Sequence, residues 1–159
     1  MKYQIRESVA EDMPAVLKLI KELAIFEREA HAVEMTTERL IKDGFGSEKL
    51  FHCFVGVIDK NVEGMALLYP RYSTWKGPVI HLEDLIVSEG FRGSGLGTAL
   101  LNEVVKYGAQ LGVKRISWDV LDWNSPAIEF YEKKGAKVLR DWDVVHLDEK
   151  GIQEYLSNL

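Results

Sequence analysis

The sequence predicts an α/β protein built on one mixed β-sheet with helices packed against it. In the second half of the chain, strand-like apolar segments alternate with segments of helical periodicity, which indicates parallel strands joined by helices. In the first half, two strand-like segments follow each other across a short polar turn, which indicates antiparallel pairing. A chain of 159 residues is long enough for one hydrophobic core, so we expect residues 1–159 to form a single domain.

The N-terminal part is expected to contain one strand and two helices. A short strand over Tyr3–Arg6 is followed by Ser8 and Glu11, whose spacing is that of a helix capping box. Apolar side chains then recur at helical spacing over residues 13–24, which predicts an amphipathic helix. Residues 36–42 predict a second, shorter helix.

The rest of the chain is expected to complete a sheet with helices between its later strands. Strands are predicted where β-branched and aromatic residues cluster, and helix ends where Gly or a capping side chain stands. The predicted elements are strands over Phe51–Ile58, Val62–Tyr69, Val79–Val87 and Arg115–Leu121, a helix over Thr98–Leu111, a helix that begins at Asn124 or Ser125 and ends near Gly135, and two final strands over Lys137–Leu139 and Asp143–Leu147.

Composition excludes several classes of function. A formal net charge of -5 argues against a nucleic-acid partner and suits a small cationic substrate. We expect no membrane association and a cytoplasmic location, because no apolar stretch approaches the roughly 20 residues of a membrane span and the N-terminus lacks a secretory signal. Cys53 is interpreted as a small buried hydrophobe, and the four histidines have no metal-ligand spacing, so neither a covalent acyl-enzyme nor a metal is expected.

A glycine-rich loop, FRGSGLGT, lies between a predicted strand and a predicted helix. Glycine lets successive backbone N–H groups point at one anion, the helix start adds partial positive charge, and Arg92 adds a full one. The loop is not a Walker A motif, because Leu96 and Gly97 stand where Lys and Ser or Thr are needed. It is not a dinucleotide fingerprint either, since Thr98 replaces the third glycine. Alone, the loop predicts an anion site, with a ligand-free turn as the alternative.

A second motif, NSPAIEFYEKKGA over residues 124–136, follows about thirty residues later. Together the two motifs resemble the GCN5-related N-acetyltransferase (GNAT) superfamily. The segments LIKELAIFE, DGFG, FHC and HLEDLIV extend the likeness to the diamine (spermidine/spermine) and thialysine N-acetyltransferases. The resemblance implies a GNAT-like fold with a central six- or seven-stranded mixed sheet, acetyl-CoA as cofactor, and a homodimer.

The resemblance also implies roles for individual residues. Backbone groups of one strand would contact the pantetheine, the glycine loop would hold the pyrophosphate, and the second motif would flank the pantetheine and the phosphates. The cofactor-binding residues are then Leu85, Ile86, Val87, Arg92, Gly93, Ser94, Gly95, Leu96, Gly97, Thr98, Asn124, Ser125, Pro126, Ala127, Tyr131, Lys133 and Lys134. The acceptor-binding candidates are acids and aromatics that suit ammonium groups: Phe26, Glu27, Trp75, Glu83, Asp84, Trp118, Asp119 and Asp122. Each of these could instead be a surface or core residue.

The reaction requires a base and a proton donor. An alkylamine with a pKa near ~10.4 must lose a proton, and Glu83 is the candidate base through water, provided that burial or Asp84 raises its pKa. Tyr131 is the candidate acid for the leaving thiolate. Full proton transfer from a tyrosine to a thiolate is uphill by about 2 kcal/mol, so hydrogen bonding could suffice.

The acceptor is left open by the sequence. Polyamine-acetylating relatives carry acids before the tryptophan at this point and a base after it, whereas here Arg140 precedes Trp142 and Asp143 follows it. Within the acceptor class of diamines, polyamines and thialysine-like amines, this order argues against the second ammonium contact of a long polyamine and leaves shorter diamines and thialysine-like amino acids open. The alternatives are a protein lysine or N-terminal acetyltransferase and a non-catalytic acyl-CoA-binding domain.

Overall fold

A computed structural model describes residues 2–159 and contains, within that range, a five-stranded mixed sheet flanked by helices. The strands are β1 (Gln4–Glu7), β2 (His52–Ile58), β3 (Asn61–Ser73), β4 (Gly77–Val87) and β5 (Ile116–Ser117), and they lie in that order across the sheet. The helices are α1 (Met13–Phe26), α2 (Thr37–Phe45), α3 (Leu96–Gln110), α4 (Ser125–Lys133) and α5 (Glu149–Ser157). The predicted α/β class with a mixed sheet is confirmed.

Strand directions follow the sequence prediction. Strands β1 to β4 pair antiparallel in sequence order, and β4 pairs parallel with β5 across a connection that contains α3. The turn between β2 and β3 places Asp59 and Lys60 at φ values of 46° and 69°. Two residues with positive φ match the twist of paired antiparallel strands, so this turn closes a tight hairpin.

The core lies on both faces of the sheet. Helices α1 and α2 cover one face, where the fully buried side chains are Met13, Val16, Val55 and Met65. On the other face, a Cβ added at Gly56 would come within 2.6 Å of Leu96, so glycine permits the close approach of α3. Among residues 2–159, every helix is too short or too polar to span a bilayer.

Cys53 lies in this core and is 3% exposed. Its thiol donates a weak hydrogen bond to the Phe54 carbonyl at 3.6 Å, and burial raises the pKa of the thiol to about 12. The interpretation of Cys53 as a buried hydrophobe is confirmed, because a thiol with this pKa forms almost no thiolate at neutral pH.

The start of α1 differs from the predicted capping box. The box lies one residue later: Val9 is the N-cap in place of Ser8, and Asp12, in place of Glu11, provides the carboxylate that accepts the Val9 N–H at 2.8 Å. The same carboxylate is paired with the Arg6 guanidinium through contacts of 2.6 and 2.9 Å, which lowers the pKa of Asp12. The capping-box pattern predicted Glu11 instead of Asp12, because the arginine that pairs with Asp12 comes from another element, β1.

The chain divides into two compact units, which we call the N-terminal unit (ending at Asp119) and the C-terminal unit (Val120–Leu159). The C-terminal unit contains α4 and α5. The predicted strands over Lys137–Leu139 and Asp143–Leu147 are wrong, since both segments are irregular. Their side chains lack a packed face: Val144 and Val145 are 66% and 89% exposed. Apolar alternation alone therefore did not produce strands, which need a paired neighbour.

The last strand of the sheet is also shorter than predicted. β5 has two residues where the sequence predicted a strand over Arg115–Leu121. With the two missing final strands, the sheet of the described residues has five strands instead of the six or seven expected. The difference lies entirely after α3, so the part of the sheet that carries the glycine loop is as predicted.

Candidate active site

A β-bulge in β4 sets the direction of its two acidic residues. In the pairing of β4 with β3, Leu82 lies opposite Leu68 and Asp84 lies opposite Leu67, so Glu83 is an extra residue without a partner. The bulge reverses the alternation, which turns Asp84 to the face of the sheet covered by α1. The two adjacent carboxylates thus lie on the same side of the sheet, where the Glu83 side chain is exposed and Asp84 is partly buried.

The same strand has an open edge. Within the N-terminal unit, β4 and β5 pair at Ile80 with Ile116 and at His81 with Ser117, and there the pairing stops. The other edge of β4 stays paired with β3 as far as Val87. The stretch that includes the predicted cofactor residues Leu85, Ile86 and Val87 therefore has one edge without a strand partner in that unit, where backbone groups can pair with an extended ligand.

The glycine loop follows β4 and leads directly into α3. Gly93 and Gly95 have φ values of 75° and 89°, in the region that other residues avoid. Gly95 is the N-cap of α3, and it has no side chain that could accept the first N–H groups of the helix. Leu96 is fully buried, so it could contribute only its backbone N–H, which lies 3.4 Å from the Ser94 hydroxyl. The loop thus presents backbone donors at a helix start.

Arg92, which opens the loop, is held by the protein. Its Nε donates to the Val87 carbonyl at 3.2 Å, and Nη2 lies 3.5 Å from the Glu22 carboxylate. The guanidinium also lies over the Phe26 ring, 5.5 Å from its centroid. Phe26 was predicted on the acceptor side, and this contact places it at the entrance of the glycine loop.

Three of the predicted acceptor residues form a carboxylate cluster: Glu27, Glu83 and Asp84. Burial first, and then the negative charges of Glu83 and Glu27, raise the pKa of Asp84 to about 6. Burial also raises the pKa of Glu27, which follows the end of α1. The burial that was expected of Glu83 is found at Asp84, because the Glu83 side chain is 51% exposed.

Two residues next to Glu83 were missed by sequence reasoning. The Tyr69 hydroxyl donates to Glu83 Oε2 at 2.9 Å, and His81 Nε2 lies 3.7 Å from the same oxygen. His81 is 6% exposed, and its Nδ1 lies 3.2 Å from the Ser117 hydroxyl. Burial and the Glu83 carboxylate raise the pKa of Tyr69. The available signal was the two-residue spacing of His81 and Glu83, which puts neighbouring side chains on one face of a strand.

The other acceptor candidates of the N-terminal unit are more scattered. The negative charge of Asp119 acts on Tyr69, which places Asp119 near the carboxylate cluster. Trp118 is partly buried just after β5. Trp75 is 78% exposed in the turn between β3 and β4, and its backbone N–H donates to the Ser73 hydroxyl at 3.2 Å. The structure therefore does not bring Trp75 into the cluster.

The second motif lies in the C-terminal unit. Asn124 caps α4 by accepting the Ala127 N–H at 3.3 Å, as predicted. Tyr131 lies in the same helix, and burial raises its pKa. The ammonium of Lys133 lies 3.6 Å from the Glu129 carboxylate. The remaining predicted residues of this unit are exposed to solvent: Asp122, Ser125, Pro126 and Lys134.

A strand with an open edge, a positive-φ glycine loop and a helix that starts at a glycine N-cap define a class of proteins that bind an extended, phosphate-bearing ligand. Within residues 2–159, a Cβ built at Gly93 would meet no atom within 4 Å apart from its chain neighbours, so the outer side of the loop is open there. This surface fits a pyrophosphate followed by a pantetheine arm, because amides at a helix start bind phosphate oxygens.

The chain belongs to the acetyltransferase (GNAT) family, whose model it matches over residues 13–136. It is 36% identical to thialysine N-epsilon-acetyltransferase of Mus musculus over 146 residues, which cover 87% of this chain and 86% of that protein. It is 33% identical over 162 residues to spermidine/spermine N(1)-acetyltransferase-like protein 1 of Homo sapiens, which covers 98% of this chain and 23% of that protein.

Among solved structures, an aminoglycoside N-acetyltransferase in complex with CoA has the same fold. It superposes with a TM-score of 0.73 at 18% identity, and the match covers 91% of this chain and 94% of that one. The resemblance inferred from the two motifs is confirmed. The protein is an N-acetyltransferase that uses acetyl-CoA.

Proposed function

We propose that this N-acetyltransferase acetylates a primary amine of a small cationic acceptor by direct attack in a ternary complex. The observation that carries the proposal is the carboxylate cluster of Glu27, Glu83 and Asp84, in which burial first, and then the negative charges of Glu83 and Glu27, raise the pKa of Asp84. A cationic ligand bound beside these carboxylates would stabilise their charged forms and offset the repulsion between them. The family match over residues 13–136 continues past the boundary at Asp119, which supports a single domain over residues 1–159.

The cofactor would be held mainly by backbone groups. The open edge of β4 at Leu85, Ile86 and Val87 would pair with the pantetheine, and the N–H groups from Gly93 to Thr98 would bind the pyrophosphate. The family resemblance assigns Asn124 to Ala127, Lys133 and Lys134 to the same cofactor, with the lysines acting as point charges toward phosphate. Acetyl-CoA supplies the acetyl thioester.

Removal of the ammonium proton is assigned to Glu83 and Asp84 acting together. Glu83 is exposed and can meet the ammonium group or an intervening water, while Tyr69 holds its carboxylate at 2.9 Å. Asp84, with a pKa of about 6, is the member of the pair that accepts a proton most readily near neutral pH. The pair therefore provides a proton acceptor with a raised pKa, which a lone exposed glutamate would not.

Tyr131 is assigned to stabilise the departing thiolate. Burial raises the pKa of its hydroxyl, so complete proton transfer to a thiolate is even less favourable than for a free tyrosine. A hydrogen bond from the hydroxyl needs no such transfer. We therefore assign Tyr131 as a hydrogen-bond donor during thiolate departure.

The acceptor class is argued from relatives and charge. Two similar proteins are named for thialysine and for spermidine or spermine, all of which are cationic amines. The order Arg140, Trp142, Asp143 departs from the polyamine pattern, which favours a short diamine or a thialysine-like amino acid over a long polyamine.

A thiol-release assay tests the acceptor. Purified protein with acetyl-CoA is offered 1,3-diaminopropane, putrescine, spermidine, thialysine, lysine and a lysine-containing peptide. We expect the highest kcat/KM with thialysine or a short diamine, and a lower value with spermidine. Preference for the peptide would favour protein acetylation instead. Tight CoA binding without transfer to any acceptor would contradict the small-amine proposal.

A further inference from the structure

Glu22 lies on α1, outside every predicted contact with cofactor or acceptor, yet it contacts the segment that opens the glycine loop. Its carboxylate oxygen Oε1 accepts the backbone N–H of Glu89 at 2.8 Å and lies 3.5 Å from Arg92 Nη2. These contacts join residues 67 and 70 positions apart in the chain. One side chain of α1 therefore fixes both ends of the short helical turn Glu89–Phe91 that leads into the loop.

The rest of α1 makes Glu22 a firm anchor. Val16 and Leu19 of this helix are buried in the core, so the helix cannot shift without disturbing that packing. Phe26 stands one helical turn after Glu22 and packs under the Arg92 guanidinium at 5.5 Å. Arg92 is thus held by a carboxylate, an aromatic ring and the Val87 carbonyl at once.

We propose that Glu22 is a positioning residue for the acetyl-CoA loop, an inference that rests on the proposed binding of pyrophosphate by Gly93 to Thr98. Glu22 fixes Glu89 and Arg92 so that the backbone N–H groups of the following glycines keep their direction before the cofactor arrives. Preorganised donors bind more tightly than donors that must be ordered on binding.

The sign of the effect separates this role from simple electrostatics. Glu22 carries a negative charge near a site for an anionic ligand, so its charge alone opposes cofactor binding. Neutralising it would strengthen CoA binding if charge were its main effect. Positioning has the opposite consequence, because loss of the carboxylate releases Glu89 and Arg92.

Direct titration with CoA provides the test, since it needs no assumption about the acceptor. We expect Glu22→Ala to weaken CoA binding about tenfold, the order of a lost hydrogen bond to a charged group. Glu22→Gln keeps an oxygen for the Glu89 N–H but loses the charge facing Arg92, so we expect a loss of about threefold. In turnover, the KM for acetyl-CoA is expected to rise while kcat at saturation stays the same.

Glu89→Gln is the matched control. It removes a negative charge from the helical turn that leads into the loop but keeps the backbone N–H that Glu22 binds, so CoA affinity should stay the same or rise. Thermal melting of each variant checks that the fold is kept. If Glu22→Ala does not fold, the isosteric variant Glu22→Gln provides the test of CoA binding. Equal or tighter CoA binding by both Glu22 variants would overturn the positioning role while leaving the proposed function intact. Failure of the wild-type protein to bind CoA would overturn both.

Discussion

The glycine loop and the carboxylate cluster both belong to the N-terminal unit, but they differ in what carries their chemistry. In the loop the proposed binding groups are backbone amides, whose directions depend on the positive φ values of Gly93 and Gly95. In the cluster they are side chains, and the pKa of Asp84 depends on burial and on Glu27 and Glu83. Changes in the loop should therefore act on cofactor binding, and changes in the cluster on pH dependence and turnover.

The largest effect is expected for Asp84→Asn, which removes the carboxyl with a pKa of about 6. In the wild-type protein, kcat/KM should fall as the pH drops through about 6, because protonation of Asp84 removes the proton acceptor. The variant should lose this acid limb and fall roughly 100-fold at neutral pH, the lower end for general base catalysis. A pH profile of kcat/KM from 5 to 9 checks this prediction.

Two measurements control the Asp84 prediction. Glu83→Gln removes a charge that raises the pKa of Asp84, so any remaining acid limb should move to lower pH. The raised pKa also means that folding favours protonated Asp84, so stability declines as the pH rises from about 4 to 6. Asp84→Asn should therefore melt a few degrees higher than wild type at pH 8 and show less advantage at pH 4. If kcat/KM of Asp84→Asn still falls at low pH as it does in the wild-type protein, a residue other than Asp84 is the base.

An intermediate effect is expected for Gly95→Val, which places a β-branched residue at a φ of 89°. Left-handed backbone costs such residues on the order of 1–3 kcal/mol, so the loop should distort and the KM for acetyl-CoA should rise about 30-fold, with a smaller change in kcat. Gly112→Val is the matched control, because Gly112 has a φ of 69° at the other end of α3. It should lower the melting temperature without changing CoA affinity. Equal effects of both variants on CoA affinity would mean that general destabilisation, and not the loop, is measured.

The smallest effect is expected for Tyr131→Phe. A hydroxyl that only donates a hydrogen bond contributes about 0.5–1.5 kcal/mol, so kcat should fall about fivefold with no change in CoA affinity. Steady-state kinetics with saturating acceptor, together with CoA titration, measures both quantities. A loss of 100-fold or more would show that Tyr131 transfers its proton fully, despite a pKa raised by burial.

Local sequence signals predicted the loop far better than the cluster. Glycine spacing and helix periodicity gave the loop before α3, and Asn124 gave the cap of α4, because each depends on residues close together in the chain. The same reasoning failed for the cap of α1, where Asp12 takes its partner Arg6 from β1. The pattern of a capping box could not reveal a contact between two elements.

The cluster depended on features that the sequence does not display. The bulge at Glu83 is set by the register between β3 and β4, and it decides on which face of the sheet Asp84 lies. Tyr69 reaches Glu83 from fourteen residues away through the same pairing. The final strands were predicted from apolar alternation at 137–139 and 143–147, but alternation does not specify a pairing partner. Tertiary register therefore limits prediction in both regions.

The burial of Cys53 has a practical consequence for measuring the reaction. The chain has one cysteine, and its thiol is 3% exposed with a pKa of about 12. Disulfide reagents such as dithionitrobenzoate react with thiolates, so the folded enzyme should give almost no colour of its own. The signal in a coupled assay then reports the coenzyme thiol released at each turnover. Slow colour from the enzyme alone would in turn count its unfolded molecules, because unfolding exposes Cys53.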